Sequence, residues 1–286
     1  MLDYSALLAL AEVIRRGSFE AAAAALRVTP SAVSQRIKAL EERMGAVLVL
    51  RGQPCVATET GGRLVRHLDQ VQLLEQALGQ AAVPAQVRVA VNADSLATWF
   101  LPALAGPEGL LFDLVIDDQD HSDEWLRRGE VLAAVTAHPG PVAGCDTRPL
   151  GRLRYIATAS PAFVARWFAA GISAQALSQA PALTFNHKDR LQSDWVARQI
   201  GRRLSLPCHR LPSTQAFVEA TLLGVGWGMN PEPLVADHLA SGRLVALAPE
   251  PLDVPLHWQS LRAMAAPLGP LSRAVRAAAR QGLMQS

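Results

Sequence analysis

The chain has 286 residues, half of them hydrophobic and 18% charged, with a net charge of +2. It is too long for one small module, suited to two or three domains, and too apolar to be disordered. No run approaches the roughly 20 apolar residues that span a bilayer, and the N-terminus lacks a basic segment followed by an apolar core. The three cysteines, Cys55, Cys145 and Cys208, are odd in number and lack metal-ligand spacing. The expectations are therefore no membrane span, no signal peptide, no metal and a cytoplasmic location.

Residues 3–16 place Leu7, Leu10, Ala11 and Ile14 at i, i+3, i+4 and i+7, one apolar helical face. Gly17 stops that helix, and Ser18 is a good cap for the next. In the second helix Phe19, Ala22, Ala23 and Leu26 would face a core. Arg27 and Val28 make a turn. Thr29 caps a third helix with Pro30 at its first position, where a missing N–H is harmless. Val33, Ile37, Leu40 and Met44 form its expected buried face. Ser31, Ser34, Gln35 and Lys38 fall opposite, with Arg36 on the flank. Ala46 to Arg51 reads as a strand, residues 52–54 as a turn and Cys55 to Ala57 as a return strand. The pattern is a helix-turn-helix with a wing, whose third helix would enter the DNA major groove. Gln, Arg and Lys supply bidentate or charged contacts to bases and phosphates, and Ser supplies short ones. Thr29, Pro30, Ser31, Ser34, Gln35, Arg36, Lys38 and Arg51 are the expected DNA-contacting residues. From Arg27 to Arg51 five bases (Arg27, Arg36, Lys38, Arg43, Arg51) oppose Glu41 and Glu42, a local balance of +3. Residues 81–160 carry ten acids and six bases, a balance of −4.

These residues carry a resemblance. AAAAALRVTPSAVSQRIKALEERMG and ATETGGRL are similar to the signature and wing exit of LysR-type transcriptional regulators. Cys55 to Ala57 departs from that pattern, because related chains often carry a further basic residue there. Wing contacts are therefore expected at Arg51 and not beyond it.

Thr58 to Gln80 reads as a helix with Leu64, Leu68, Val71, Leu74 and Leu78 on one stripe, which must pack on something. The resemblance implies a linker helix that pairs with a second subunit; packing within its own chain is the alternative. Residues 81–85 form a short hinge. Beyond it strands and helices alternate, as in α/β folds with parallel strands. The expected fold is α/β with an N-terminal winged helix-turn-helix, a linker helix and a two-lobed effector domain like a periplasmic binding protein. Its expected boundaries are 1–58 for the reader and 59–80 for the linker. Lobe I would take 86–158 plus 260–286, and lobe II 159–259. Residues 224–231, GVGWGMNP, read as a loop.

Ligands of such domains sit between lobes, at the carboxyl ends of strands. Asn92, Asp94, Ser95 and Trp99 follow the first strand, where backbone N–H groups can hold a carboxylate. Asp118 lies among three acids at the exit of the next strand, Asp117, Asp118 and Asp120, whose mutual repulsion a cation would relieve. Thr136 ends a third strand. Asn186 and His187 follow a second-lobe strand, and Ser213 and Thr214 open a helix. Acids for an amine and helix starts for a carboxylate suit a basic amino acid. For each acid a solvated loop is the alternative, for Asp94 a plain helix cap, and for Trp99 a place in the core. VNADSLATW and LRRGEVLAAV further resemble the lysine- and arginine-responsive subgroup, the LysG, ArgP or IciA types. That resemblance implies sensing of lysine or arginine and control of a basic amino-acid export or metabolism gene. It also implies double-stranded DNA, a homodimer or homotetramer and RNA polymerase as partners. A replication-inhibiting or architectural DNA-binding role is the alternative, and an amino-acid-binding enzyme with a fused helical domain is a third. No catalytic residue is expected, because no nucleophile, base and orienting group can be singled out. No cofactor is expected beyond the small-molecule effector. His187, His209, His238 and His257 have no metal spacing, and Gly224, Gly226 and Gly228 do not form a phosphate cradle.

Overall fold

The computed structural model describes residues 2–79, 84–116 and 122–285. It comprises two compact units, Met1–Val87 with Gly109–Leu111, and Arg88–Glu108 with Phe112–Ser286. The hinge reading for 81–85 falls partly on residues 81–83, and Asp117, Asp118 and Asp120 fall on 117–121; these lie outside the described residues.

In the first unit α1 (Tyr4–Arg16), α2 (Phe19–Leu26) and α3 (Pro30–Met44) pack around Leu7, Leu10, Ala22, Val33, Ile37 and Leu40. Each start is capped by a side chain: Asp3, Ser18 and Thr29 accept from Ser5, Ala21 and Ala32 amides. Satisfying such an orphan donor is worth about 1 kcal/mol. Gly17, at φ +74°, ends α1 in the left-handed region that a side chain would resist. Met44, expected in the core, is exposed at the last residue of α3. The wing is β1 (Val49–Leu50) against β2 (Val56–Ala57), antiparallel, with Leu50 opposite Val56. α4 (Glu59–Ala77) follows, capped by Thr58, whose hydroxyl also donates to the Val47 carbonyl at 2.8 Å. A Cβ on Gly61 would lie 2.1 Å from the Leu48 carbonyl oxygen, so only glycine lets α4 cross the wing there.

The expected stripe on α4 divides. Leu64 and Leu68 are buried in the core that α1 to α3 form, and Arg15 on α1 pairs with Asp69 beside them. Own-chain packing therefore accounts for these two. Leu73, not singled out from the sequence, is also buried, Val71 is half-buried, and Leu74 and Leu78 are 42% and 74% exposed.

β3 (Ala85–Val91), which belongs to the second unit from Arg88 on, leads into α5 (Ala93–Ser95), which continues as a π turn, Leu96–Phe100, and a 3-10 turn, Leu101–Leu104. Pro102 has no amide hydrogen for the Thr98 carbonyl, and the regular α ladder gives way to these turns around it. Then come β4 (Leu110–Ile116), α6 (Ser122–Arg127), β5 (Ala133–Thr136) and the 15-residue β6 (Cys145–Ala159). α7 (Pro161–Trp167), α8 (Ala174–Gln179), β7 (Ala182–Thr184), α9 (Leu191–Ile200), β8 (Cys208–Arg210), α10 (Thr214–Leu222), β9 (Gly228–Pro231), α11 (Glu232–Ala240) and β10 (Val245–Ala246) follow. β11 (Leu252–Leu261) and α12 (Gly269–Gly282) close the chain.

The main sheet runs β10-β6-β11-β5-β3-β4, with β9 also on β6, and β7-β8 form a separate pair. The main sheet is mixed rather than all-parallel: β3/β5 is parallel, while β6 pairs antiparallel with β9, β10 and β11; the separate β7/β8 pair is parallel. β6 is the shared member. Its first two-thirds lie on β11, and residues 155–159 carry β9 and β10. The Arg154–Asp253 pair, at 2.8 and 2.9 Å, clamps β6 to β11. Residues 224–231 are not all loop, since Gly228 to Pro231 form β9. α12 packs through Leu271, Val275 and Ala279 and bonds Trp258 Nε1 to Ser272 Oγ at 3.0 Å.

Candidate functional site

The first unit presents a polar face. Ser31, Gln35 and Lys38 are exposed on α3, one or two turns apart, with Ser34 and Arg36 half-buried beside them. Thr29 and Pro30 set where that helix begins: the Thr29 hydroxyl accepts from Ala32 N at 3.2 Å. Glu41 Oε1 accepts from Leu48 N at 2.8 Å and ties the wing to α3. Arg51 sits with its guanidinium carbon 5.2 Å from the Phe19 ring centroid and shares a surface groove with Pro30, Ser31 and Ser34. Such an exposed cation–π contact is worth about 0.5–1 kcal/mol and orders the arginine beside the helix start. Lys38 lies 3.8 Å from Glu42, an exposed i,i+4 pair that competes only weakly with a phosphate. The face thus offers amide, hydroxyl and guanidinium donors on a helix whose opposite side is locked in a core.

The second unit holds a small cavity of about 20 Å³, room for one water molecule and far less than an amino acid. Asp94, Asp189, Thr214 and Asn230 supply its polar lining, and Phe185, Phe217 and Met229 much of the rest. None of its lining residues is Lys or Arg. Asp94 stands just past β3. Its Oδ1 accepts from Thr214 Oγ1, at the start of α10, at 2.8 Å, and its Oδ2 accepts from Tyr155 Oη on β6 at 2.9 Å. Asp189 holds its own loop: its carboxylate accepts from the Phe185 amide at 2.8 Å and the Leu191 amide at 3.1 Å. Two carboxylates beside apolar rings give this lining negative charge and hydrogen-bond acceptors.

The other residues expected around an effector have different duties. Asn92 Oδ1 accepts from Ser95 N at 2.6 Å, so this helix start uses its own cap. Ser95 is fully buried, and its hydroxyl has no partner among the described residues. Trp99 lies under the end of α12, where a Cβ on Gly282 would come within 2.5 Å of its Cβ; it belongs to the core. Thr136 is buried and accepts from Gln259 Nε2 at 3.1 Å. Gln259 also bonds Val142 N and the His138 and Gly140 carbonyls, so Thr136 helps hold the 137–142 loop. Asn186 Oδ1 closes a turn on the Lys188 and Asp189 amides, His187 is exposed, and neither lines the cavity. Ser213 caps α10 through Ala216 N and leaves Thr214 as that helix's contribution. Asp118 is outside the described residues. Of the expected effector residues, Asp94 and Thr214 are brought together. Tyr155, Asn230 and Phe217 were missed, because only the tertiary fold places them there. Asp189 carried a signal, an acid just past a second-lobe strand.

Residues 4–62 match the description "Bacterial regulatory helix-turn-helix protein, lysR family", and residues 80–284 match "LysR substrate binding domain". The chain is 45% identical over 284 residues to the HTH-type transcriptional regulator LysG of Mycobacterium tuberculosis, covering 97% of this chain and 94% of that one. The crystal structure of ArgP from Mycobacterium tuberculosis is similar at 43% identity and a TM-score of 0.79, over 100% of both chains. A full-length LysG from Corynebacterium glutamicum with bound effector Arg is similar at 38% identity and a TM-score of 0.66, over 99% of this chain and 100% of that one.

Proposed function

The chain belongs to the LysR family of DNA-binding transcriptional regulators, and we propose that the effector it answers to is a basic amino acid, arginine or lysine, held at the Asp94–Asp189 cavity. The observation that carries this reading is the cavity's chemistry: two carboxylates and no basic side chain in its lining. The arginine bound to the Corynebacterium LysG supports it. A ligand of that size must enlarge a 20 Å³ space, and the bonded pair Asp94 and Thr214 both line it. Binding therefore favours a conformer in which that bond is exchanged for one to the ligand, and this differential contact is what can move the regulator between states.

The reader contacts DNA through Thr29, Pro30, Ser31, Ser34, Gln35, Arg36, Lys38 and Arg51, with Gln35 and Ser31 towards base edges. The boundaries 1–58, 59–80, 86–158 with 260–286, and 159–259 divide it by task into reader, linker and two lobes. Exposed Leu74 and Leu78 support assembly through α4, which would supply two readers for two half-sites. The proposed setting is the cytoplasm, and the target is a gene of basic amino-acid export or metabolism, served through RNA polymerase. No helix among the described residues is long and apolar enough to cross a membrane. The test is a footprint of the full chain on DNA selected from a random library, with and without arginine. A selected consensus whose protected region changes with arginine and not with glutamate is expected. Equal protection of unrelated sequences would favour an architectural protein instead.

A further inference from the structure

Asn230 on β9 is fully buried and lines the acidic cavity. Its amide group has a fixed orientation. Nδ2 donates to Thr158 Oγ1 at 2.9 Å and to Thr221 Oγ1 at 3.2 Å. The Thr221 hydroxyl spends its only proton on the Phe217 carbonyl at 2.9 Å, so towards Asn230 it can only accept. The nitrogen must therefore face the two threonines and the oxygen must face away from them. That oxygen, Oδ1, is buried without a partner among the described residues. A buried acceptor without a protein partner is open to an N–H from a bound ligand.

We infer that Asn230 Oδ1 is a ligand acceptor that receives an N–H from the cationic group of the effector, between the carboxylates of Asp94 and Asp189. This deepens the reading of the cavity given above and rests on it. The chemistry is complementary. A guanidinium or ammonium brings several donors and no acceptor. Two carboxylates neutralise its charge, and a neutral carbonyl oxygen takes a further donor without adding a third negative charge. Thr158 and Thr221 are then positioning residues, which hold the amide so that its oxygen stays presented.

Calorimetric titration of the full chain with arginine tests this, using wild type and Asn230→Leu, with a thermal melt of each. Leucine removes the acceptor while keeping the number of side-chain heavy atoms. The Leu variant is expected to bind about tenfold to a hundredfold more weakly, the range for a hydrogen bond to a charged group. Equal binding by wild type and the Leu variant overturns the role of Asn230 while leaving the basic effector in place. Should Asn230→Leu fail to fold by circular dichroism, Asn230→Ser decides, with weakened binding expected and wild-type affinity contrary. If wild type binds neither arginine nor lysine, the reading of the cavity falls, and this inference with it.

Discussion

Replacing Asp94 by Asn changes the charge of the cavity and little else. Both carboxylate oxygens are engaged, by Thr214 at 2.8 Å and Tyr155 at 2.9 Å. An amide of the same shape can still accept from Thr214 and can donate to the Tyr155 oxygen. The cost to folding is therefore about 1 kcal/mol, one charged bond exchanged for a neutral one. The cost to a cationic ligand is larger. Two unit charges 4 Å apart attract by about 4 kcal/mol at an effective dielectric of 20, part of which is spent on desolvation. A net loss of about 1.5–3 kcal/mol remains, a tenfold to hundredfold rise in Kd. Calorimetry with arginine, beside a thermal melt in its absence, separates the two effects. Unchanged affinity in Asp94→Asn would refute the assignment of Asp94 as the cation's partner.

Gln35→Ala should reduce discrimination between a selected site and random DNA by about 1–3 kcal/mol in competition binding; unchanged discrimination removes Gln35 from base readout. Leu78→Asp with Leu74→Asp should leave the melting temperature near wild type and shift sedimentation to smaller species, whereas Leu68→Asp should unfold the first unit, because Leu68 is 2% exposed in its core. A wild-type sedimentation profile for the Leu74/Leu78 variant would exclude α4 as the assembly seam. The Arg154 guanidinium bonded to Asp253 holds that carboxyl below its ordinary value. Its contribution to stability is thus complete above the usual carboxylate range, near pH ~4, and is lost as pH falls through the lowered folded value. Asp253→Asn should flatten the acid limb of a urea midpoint–pH profile, and an unchanged limb contradicts this.

The first unit was legible because its information is local. Ser18, Thr29, Gly17 and Gly45 mark helix ends through the side chains and backbone of the same few residues. The α4 stripe was ambiguous for a physical reason: leucines at helical spacing look alike whether they meet α1 or another chain. Only burial divides Leu68 from Leu78. The second unit was legible as α/β but not in its pairing. β6 runs 15 residues through Pro149 and Gly151, and β9 is the end of a glycine-rich segment, so both look broken in sequence. Asp94 and Thr214 stood at a strand exit and a helix start, where chemistry is expected. Tyr155 and Asn230 sit on strands 61 and 136 residues from Asp94 by numbering, and nothing in their neighbours along the chain marks them.

The central claim is that this DNA-binding regulator answers to a basic amino acid. Calorimetric titration of the full chain with arginine, lysine and glutamate tests it most directly. Saturable binding of arginine or lysine, with none of glutamate, is the predicted result. Binding of glutamate alone would contradict the account, since a cavity lined by Asp94 and Asp189 without a basic residue should repel it.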